Sequence, residues 1–307
     1  MGKKTSGVRE RYPVVNGIFY PDSPEHIIAS LASWGLKQNP GSYCSANAAG
    51  GKVLIVPHGG WELTGEIAGT AFAGIAPLCK VPLREAPHHD ALLCRASSRG
   101  ISRVIVLGPQ HSPGEEGIYL SESASFKTPL GDLFVDQKFN RKMALYSSSI
   151  TINDIPHLSE HCLEVLLPII KYCLGGVKIV PVIMNGEKPA LISCLAKALA
   201  LILESHMEES LVVVSSNVSR NKDPALALSM AEEFRSLLLK MNTKTFRARY
   251  AQGSISACGG AIVAALLESG LLKGRKFSAL TPLSSGVGEE GDTLYYGAFE
   301  CDTESSA

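Results

Sequence analysis

The sequence predicts an α/β domain with a mostly parallel central sheet and helices on both faces. Three observations predict it. Short β-branched runs, such as Val53-Leu-Ile-Val and Val104-Ile-Val-Leu, are bounded by Gly and Pro in the manner of buried strands. Segments with helical spacing alternate with them, the order that builds parallel sheets. No linker or shift in composition divides the 307 residues, so the chain reads as one domain over 1–307, with flexible ends at 1–10 and 302–307.

The elements follow in order. An extended segment, Val14-Val-Asn-Gly-Ile-Phe-Tyr-Pro, precedes a helix from about Pro24 to Leu36, with Ser23 as N-cap and Pro24 at its first position. A strand at Lys52–Pro57 leads to a helix over Glu62–Ile75, whose Ala and Gly residues suit close packing on a sheet. The strand Arg103–Leu107 comes next, then a hairpin over Ser125–Asp136 that turns at Gly131-Asp132. Glu160–Tyr172 reads as a helix kinked or cut at Pro168, and Lys178–Met184 as a strand. The helix Pro189–Glu204, the strand Leu211–Ser215 and the helix Pro224–Lys240, capped by Asp223, continue the alternation. A helix over Gly259–Leu267 and closing strands at Lys276–Leu280 and Thr293–Phe299 complete it. Lys37–Gly51 and Ala86-Pro-His-His-Asp read as flexible stretches.

Composition excludes several classes of function. Lys+Arg and Asp+Glu both total 29, so there is no electrostatic case for a nucleic-acid partner. No apolar run approaches the roughly 18 residues of a membrane span, and the polar, basic start lacks the apolar core of a signal peptide. Gly2 with Ser6 fits the myristoylation pattern, which is too short and too often met by chance to use. Eight cysteines, at 44, 79, 94, 162, 173, 194, 258 and 301, form no CxxC pair. They read as reduced thiols of a cytoplasmic protein, with Cys162, Cys173 and Cys194 in the core.

Two histidines share one context. Val53-Leu-Ile-Val-Pro runs into His58-Gly-Gly-Trp61, and Val104-Ile-Val-Leu-Gly-Pro-Gln runs into His111. The C-terminal ends of parallel strands share one edge, where open α/β proteins bind ligands, so two parts of the chain deliver an imidazole to one place. A third strand ends Ser215-Ser-Asn-Val-Ser-Arg220 at the same edge. Ser215, Ser216 and Asn217 offer hydrogen bonds there, and Arg220 either binds an anion or lies in solvent. Cys258 precedes a helix start, whose dipole favours a thiolate; it is a packing residue, a nucleophile or a soft metal ligand. His161 and Glu164, three apart on the expected helix, serve a metal or form a hydrogen-bonded pair, and the pair is the preferred reading. His26, His88, His89, His157 and His206 lack supporting neighbours and read as surface residues. Gly286-Val-Gly-Glu-Glu-Gly-Asp does not sit between a strand and a helix, so it fails as a phosphate loop, and there is no Gly-x-Ser-x-Gly elbow.

These motifs resemble those of the Memo family, whose bacterial members are labelled protein B of a radical-SAM-associated system. The opening Ile18-Phe-Tyr-Pro, Val56-Pro-His-Gly-Gly-Trp-Glu-Leu-Thr-Gly, Leu107-Gly-Pro-Gln-His, Lys127-Thr-Pro-Leu-Gly-Asp, Glu160-His-Cys-Leu-Glu-Val-Leu-Leu-Pro and Ile179-Val-Pro-Val-Ile occur in the family's order. The resemblance implies a fold shared with type III extradiol dioxygenases and a metal site built from His58, His111 and Cys258. It also implies one transition-metal ion, iron or copper in preference to zinc, and a small molecule or peptide as partner. The pocket around it is expected to include Trp61, His161, Ser216, Asn217 and Arg220. The family's third strand usually ends Ser-Ser-Asp-Phe-Ser-His, so this chain carries Asn217 for the aspartate and Arg220 for the histidine. Arginine keeps its proton and cannot act as a general base, which speaks against ring cleavage. A permanent cation also opposes metal binding unless an anion sits between them. Three readings follow: a metal site with redox or oxygenase-related chemistry, a non-catalytic module that recognises a peptide or small anion through Arg220, and a redox thiol at Cys258 alone.

Overall fold

Valine, isoleucine and leucine alternate across the centre of the sheet and fill two cores. The structure, a computed structural model, describes residues 9–36, 51–75, 100–288 and 290–302. In chain order its elements are β1 (Glu10–Arg11), α1 (Pro24–Ser33), β2 (Val53–Val56), α2 (Trp61–Ala73), β3 (Arg103–Pro109), β4 (Gly117–Leu120), β5 (Ser125–Phe126) and β6 (Leu133–Phe134). Next come α3 (Gln137–Ala144), β7 (Ile150–Ile152), α4 (Ile155–Leu158), α5 (Leu167–Leu174), β8 (Lys178–Asn185), α6 (Pro189–Leu203), β9 (Ser210–Ser215) and β10 (Ser219–Asn221). The chain continues through α7 (Pro224–Leu239), α8 (Thr243–Ala251), α9 (Gly260–Glu268), β11 (Lys276–Ala279), β12 (Ser284–Val287), β13 (Thr293–Tyr296) and β14 (Phe299–Asp302).

The main sheet has eight strands in the order β11-β14-β2-β9-β3-β8-β4-β7. Its centre, β2-β9-β3-β8, is parallel, as expected. The sheet as a whole is mixed, because β14 runs antiparallel to β2 and β4 antiparallel to β8. Side chains alternate between the faces of each strand. Val53, Ile55, Ile105, Leu107, Val212 and Val214 face one core with α6, α7 and α9, whereas Leu54, Val56, Val104, Val106, Leu211 and Val213 face another with α1, α2 and α5. Burial of each such side chain contributes about 2 kcal/mol. The two expected caps form: the Ser23 hydroxyl accepts from the His26 N–H at 3.2 Å, and Asp223 accepts from Ala225 and Leu226 at the start of α7.

Several expectations are corrected. Val14–Pro21 is not extended; it turns at Gly17, which takes φ +73°, and Asn16 bridges to Tyr20. The helix expected from Glu160 begins later, as a 3-10 turn at Glu164–Leu166 followed by α5, because the Glu160 carboxylate itself takes the N–H groups of His161 and Cys162. Pro168 therefore lies in the first turn of α5, where its missing N–H is tolerated. The single closing strand expected at Thr293–Phe299 breaks into β13, in a small sheet with β10 and β12, and β14, in the main sheet. The small sheet β1-β5-β6 contains the expected hairpin, with Gly131 at φ +105°. Glu10 and Asp302, placed in the flexible ends, lie in β1 and β14. His157 is buried, not on the surface, and its Nε2 donates to the Tyr119 carbonyl at 3.1 Å. His26 is exposed, and His206 is half-buried against Glu209. Cys162 and Cys173 are buried and Cys194 is half-buried. Expectations for Lys37 onward in that loop, for Ala86-Pro-His-His-Asp, for Cys44, Cys79 and Cys94 and for the extreme termini lie outside the described residues, apart from Gly51. No helix among the described residues is long and apolar enough to cross a membrane.

Candidate metal centre

Strands β2, β9 and β3 lie side by side and end together. Val56 pairs with Ser215 and Leu107 with Val214, so the segments that follow share one edge of the sheet. His58 stands two residues past β2 and His111 two past β3. Gly59 follows His58 at φ +156°, a conformation that side chains rarely adopt, and a Cβ there would lie 3.3 Å from Thr64. Cys258 arrives from across the sheet, two residues before α9. The turn before α5 supplies Glu160 and His161.

The groups converge. The Nε2 atoms of His58 and His111 are 3.2 Å apart, and the Cys258 sulfur is 3.3 Å from Nε2 of His58. One ring nitrogen from each of His58, His111 and His161 lies within 4.8 Å of those of the other two. The ring centroids are 4.9 Å apart for His58 and His111, 4.8 Å for His111 and His161, and 5.7 Å for His58 and His161. His58 is buried, while 24% of the His161 side chain reaches solvent.

Hydrogen bonds fix which nitrogen faces the centre. The Ser215 hydroxyl donates its one proton to the Cys162 carbonyl at 2.7 Å, so it can only accept from Nδ1 of His58 at 2.8 Å. The Glu160 carboxylate takes Nδ1–H of His111 at 2.9 Å, together with the N–H groups of His111, His161 and Cys162. Both imidazoles are thus oriented with Nε2 toward the centre, the arrangement that outer-shell partners impose on metal-ligating histidines. The Asn217 side-chain oxygen accepts from the His58 N–H at 3.0 Å, and the Asn217 N–H donates to the Cys258 sulfur at 3.1 Å. Ser216 accepts from the Gly259 N–H at 2.9 Å and ties the approach to α9 to the end of β9.

These contacts set the charges. Burial alone would push the Cys258 thiol up, but electrostatic attraction and hydrogen bonds from the His58 and His111 imidazoles hold it well below the usual thiol range. Burial disfavours the charge on His111, yet hydrogen bonds to the Cys258 thiolate and Glu160 raise it to about 10. Burial likewise opposes ionisation of Glu160, and its bonds to His111 and the backbone outweigh that and lower it to about 2. His161 falls to about 4 through burial and the neighbouring charge on His58, so it is neutral near pH 7.

Two expected pocket residues behave otherwise, and one expected pairing does not form. Trp61 is buried in the core against Trp34 and Tyr20, and its indole N–H goes to the Val165 carbonyl; it does not line the centre. Arg220 pairs with Asp292 and Glu290, so its fork is occupied and its charge is met by two carboxylates. His161 does not pair with Glu164. The Glu164 carboxylate instead takes Arg11, the N–H groups of Val14 and Val15, and the Tyr20 hydroxyl. Ser215, expected to offer a hydrogen bond at this edge, and Glu160, which the sequence did not single out, carry the tautomers. Their only signal is adjacency, Glu160 before His161 and Ser215 at a strand end.

A family model described as Memo-like protein matches residues 86–293. A MEMO1 family protein of Aeropyrum pernix is 27% identical over 303 residues, covering 94% of this chain and 98% of that protein. One from Desulfurococcus amylolyticus is 26% identical over 291 residues, covering 91% and 93%. The structure of an uncharacterized protein from Escherichia coli K12 covers 81% of this chain and 98% of that one, with a TM-score of 0.49 and 12% identity.

Proposed function

The chain belongs to the Memo-like protein family, and on that premise we propose that it holds one transition-metal ion between His58, His111 and Cys258 and presents it to a small molecule or peptide. The observation that carries this reading is the convergence of the Nε2 atoms of His58 and His111 with the Cys258 sulfur, 3.2 and 3.3 Å apart. Neighbouring nitrogen ligands on a tetrahedral ion, at about 2.0–2.1 Å from it, stand roughly 3.3 Å from each other, so the donors need little rearrangement. Two imidazoles and a thiolate suit iron, copper or zinc and disfavour magnesium or calcium. When bound, the ion supplies Lewis acidity or, as iron or copper, one-electron redox chemistry.

The chain's own residues do the rest. Ser215 and Glu160 hold the imidazoles in the ligating tautomer. The proton that His111 carries at Nε2 leaves on metal uptake, as does any thiol proton on Cys258. Asn217 needs only a side-chain oxygen to hold the His58 N–H, so amide in place of carboxylate keeps this contact. The charge of Arg220 is answered by Asp292 and Glu290, which removes its objection to a cation nearby. It also leaves Arg220 without a free fork, so the anion-anchoring reading is not carried forward. The described cysteines form no disulfide, which fits a reducing, cytoplasmic setting.

Elemental analysis of purified protein tests the reading. About one equivalent of transition metal per chain is expected, lost in His58→Ala and in Cys258→Ser. Protein that takes up no metal, or a His58→Ala variant that retains a full equivalent, overturns it.

A further inference from the structure

We infer that His161 supplies a fourth ligand, so that the resting site is closed by three imidazoles and one thiolate. This rests on the metal reading above and extends it from three donors to four. A ring nitrogen of His161 lies within 4.8 Å of a ring nitrogen of His58 and of one of His111. Its Nδ1 is 3.3 Å from Oε1 of Glu160, the same oxygen that takes His111, so one carboxylate stands behind both rings, on the side away from Nε2. Phe19 packs edge-on against the His161 ring at 5.1 Å and limits its rotation.

The other nearby donors are spent. Both Glu160 oxygens carry hydrogen bonds from His111 and the backbone. The Cys162 thiol is fully buried, pushed far up by that burial, and donates to the Pro109 carbonyl at 3.2 Å. The Asn217 side-chain oxygen takes the His58 N–H, and Arg220 has no lone pair to give. His161 therefore remains as the wall residue with an uncommitted lone pair. Structural sites close all four positions, whereas catalytic sites keep one open. A small molecule reaches the ion here only by displacing His161, whose side chain is part-exposed.

Cobalt(II) is the probe, because its visible bands report coordination number and its near-ultraviolet band reports thiolate ligation. The full chain is loaded with cobalt(II), unaltered and as His161→Ala and His161→Gln, with circular dichroism confirming the fold. The unaltered protein is expected to show intense four-coordinate bands that azide leaves unchanged. Both variants keep the thiolate band, lose intensity in the visible bands, respond to azide and bind at least about tenfold more weakly. Added imidazole restores the original bands in His161→Ala. Visible bands that are identical in variant and unaltered protein, or an unaltered spectrum that azide perturbs, overturn the fourth ligand alone. Failure of the unaltered protein to take up cobalt(II) overturns the metal reading and this inference together.

Discussion

At the scale of single residues, this fold decides protonation by what stands behind each ring. His157 is the clearest case outside the metal centre. Its ring is enclosed, its Nε2 donates to the Tyr119 carbonyl, and its Nδ1 has no hydrogen-bond partner among the described residues. Burial lowers it to about 4, while the charges of Asp154 and Glu160 pull upward and that of Arg11 downward. An unfolded histidine titrates near 6.5, so the unfolded chain binds the extra proton first as pH falls. The stability due to neutral His157 is therefore present above about pH 6.5 and is lost as pH drops through about 4. Between pH 7 and pH 4 this one residue accounts for about 3 kcal/mol. His157→Gln keeps a donor for Tyr119 and removes the titration. Urea unfolding should show the unaltered protein losing more stability over that interval than the variant, by an amount of that order. Equal losses would show that protonation of His157 is not what the acid range costs. None of this was visible in the sequence, where Asp154 and Glu160, three residues to either side, do not reveal that His157 is buried; its burial comes from α4 folding against β4 and the β5 hairpin.

At the scale of elements, the centre depends on how closely α9 approaches the end of β9. Gly259 makes that approach possible. A Cβ added there would lie 2.6 Å from Cβ of Ser216 and 2.9 Å from the Ser215 carbonyl, and the latter is backbone that cannot step aside. Gly259→Ala should push the Cys258 turn away from the sheet edge, cost about 2 kcal/mol as overpacking does, and weaken metal uptake with the histidines intact. Chemical denaturation together with metal titration checks both; a variant with unchanged stability and uptake would mean that α9 has more freedom than its contacts allow. The strands β2, β3, β8 and β9 were legible because each is an apolar run bounded by turn residues. Helices α6 and α7 were legible from their period and caps. The short strands β4 and β7, with β7 at the sheet edge, and the polar helices α3 and α8 were not, since they are too short or too polar to give a period to read. The turn at Glu160 was misread as helix because a side chain, not the backbone, satisfies its N–H groups.

At the scale of the whole molecule, the donors come from remote parts of the chain. His58 and His111 follow two neighbouring strands, His161 precedes α5 on one face of the sheet, and Cys258 precedes α9 on the other. The two histidines were legible because parallel strands must end on one side, and the cysteine only through the family resemblance, since helix position gives a lone thiol no address. An ion held by all of them links the helical layers on both faces to the sheet edge, and it binds the folded chain alone. Its effect on stability is then set by mass action: at 100 times Kd it stabilises by about 2.7 kcal/mol. For a chain somewhat larger than 250 residues, about 2 °C per kcal/mol is appropriate, which gives a rise in Tm of about 5 °C. Thermal melts with metal and after chelation should therefore differ by that amount in the unaltered protein and coincide in His58→Ala. His157→Gln, which removes none of the proposed donors, should retain the full metal-dependent shift from its own baseline. A shift of equal size in His58→Ala would place the stabilising ion elsewhere on the surface, because that variant lacks the ring nitrogen that stands 3.2 Å from Nε2 of His111 and 3.3 Å from the Cys258 sulfur.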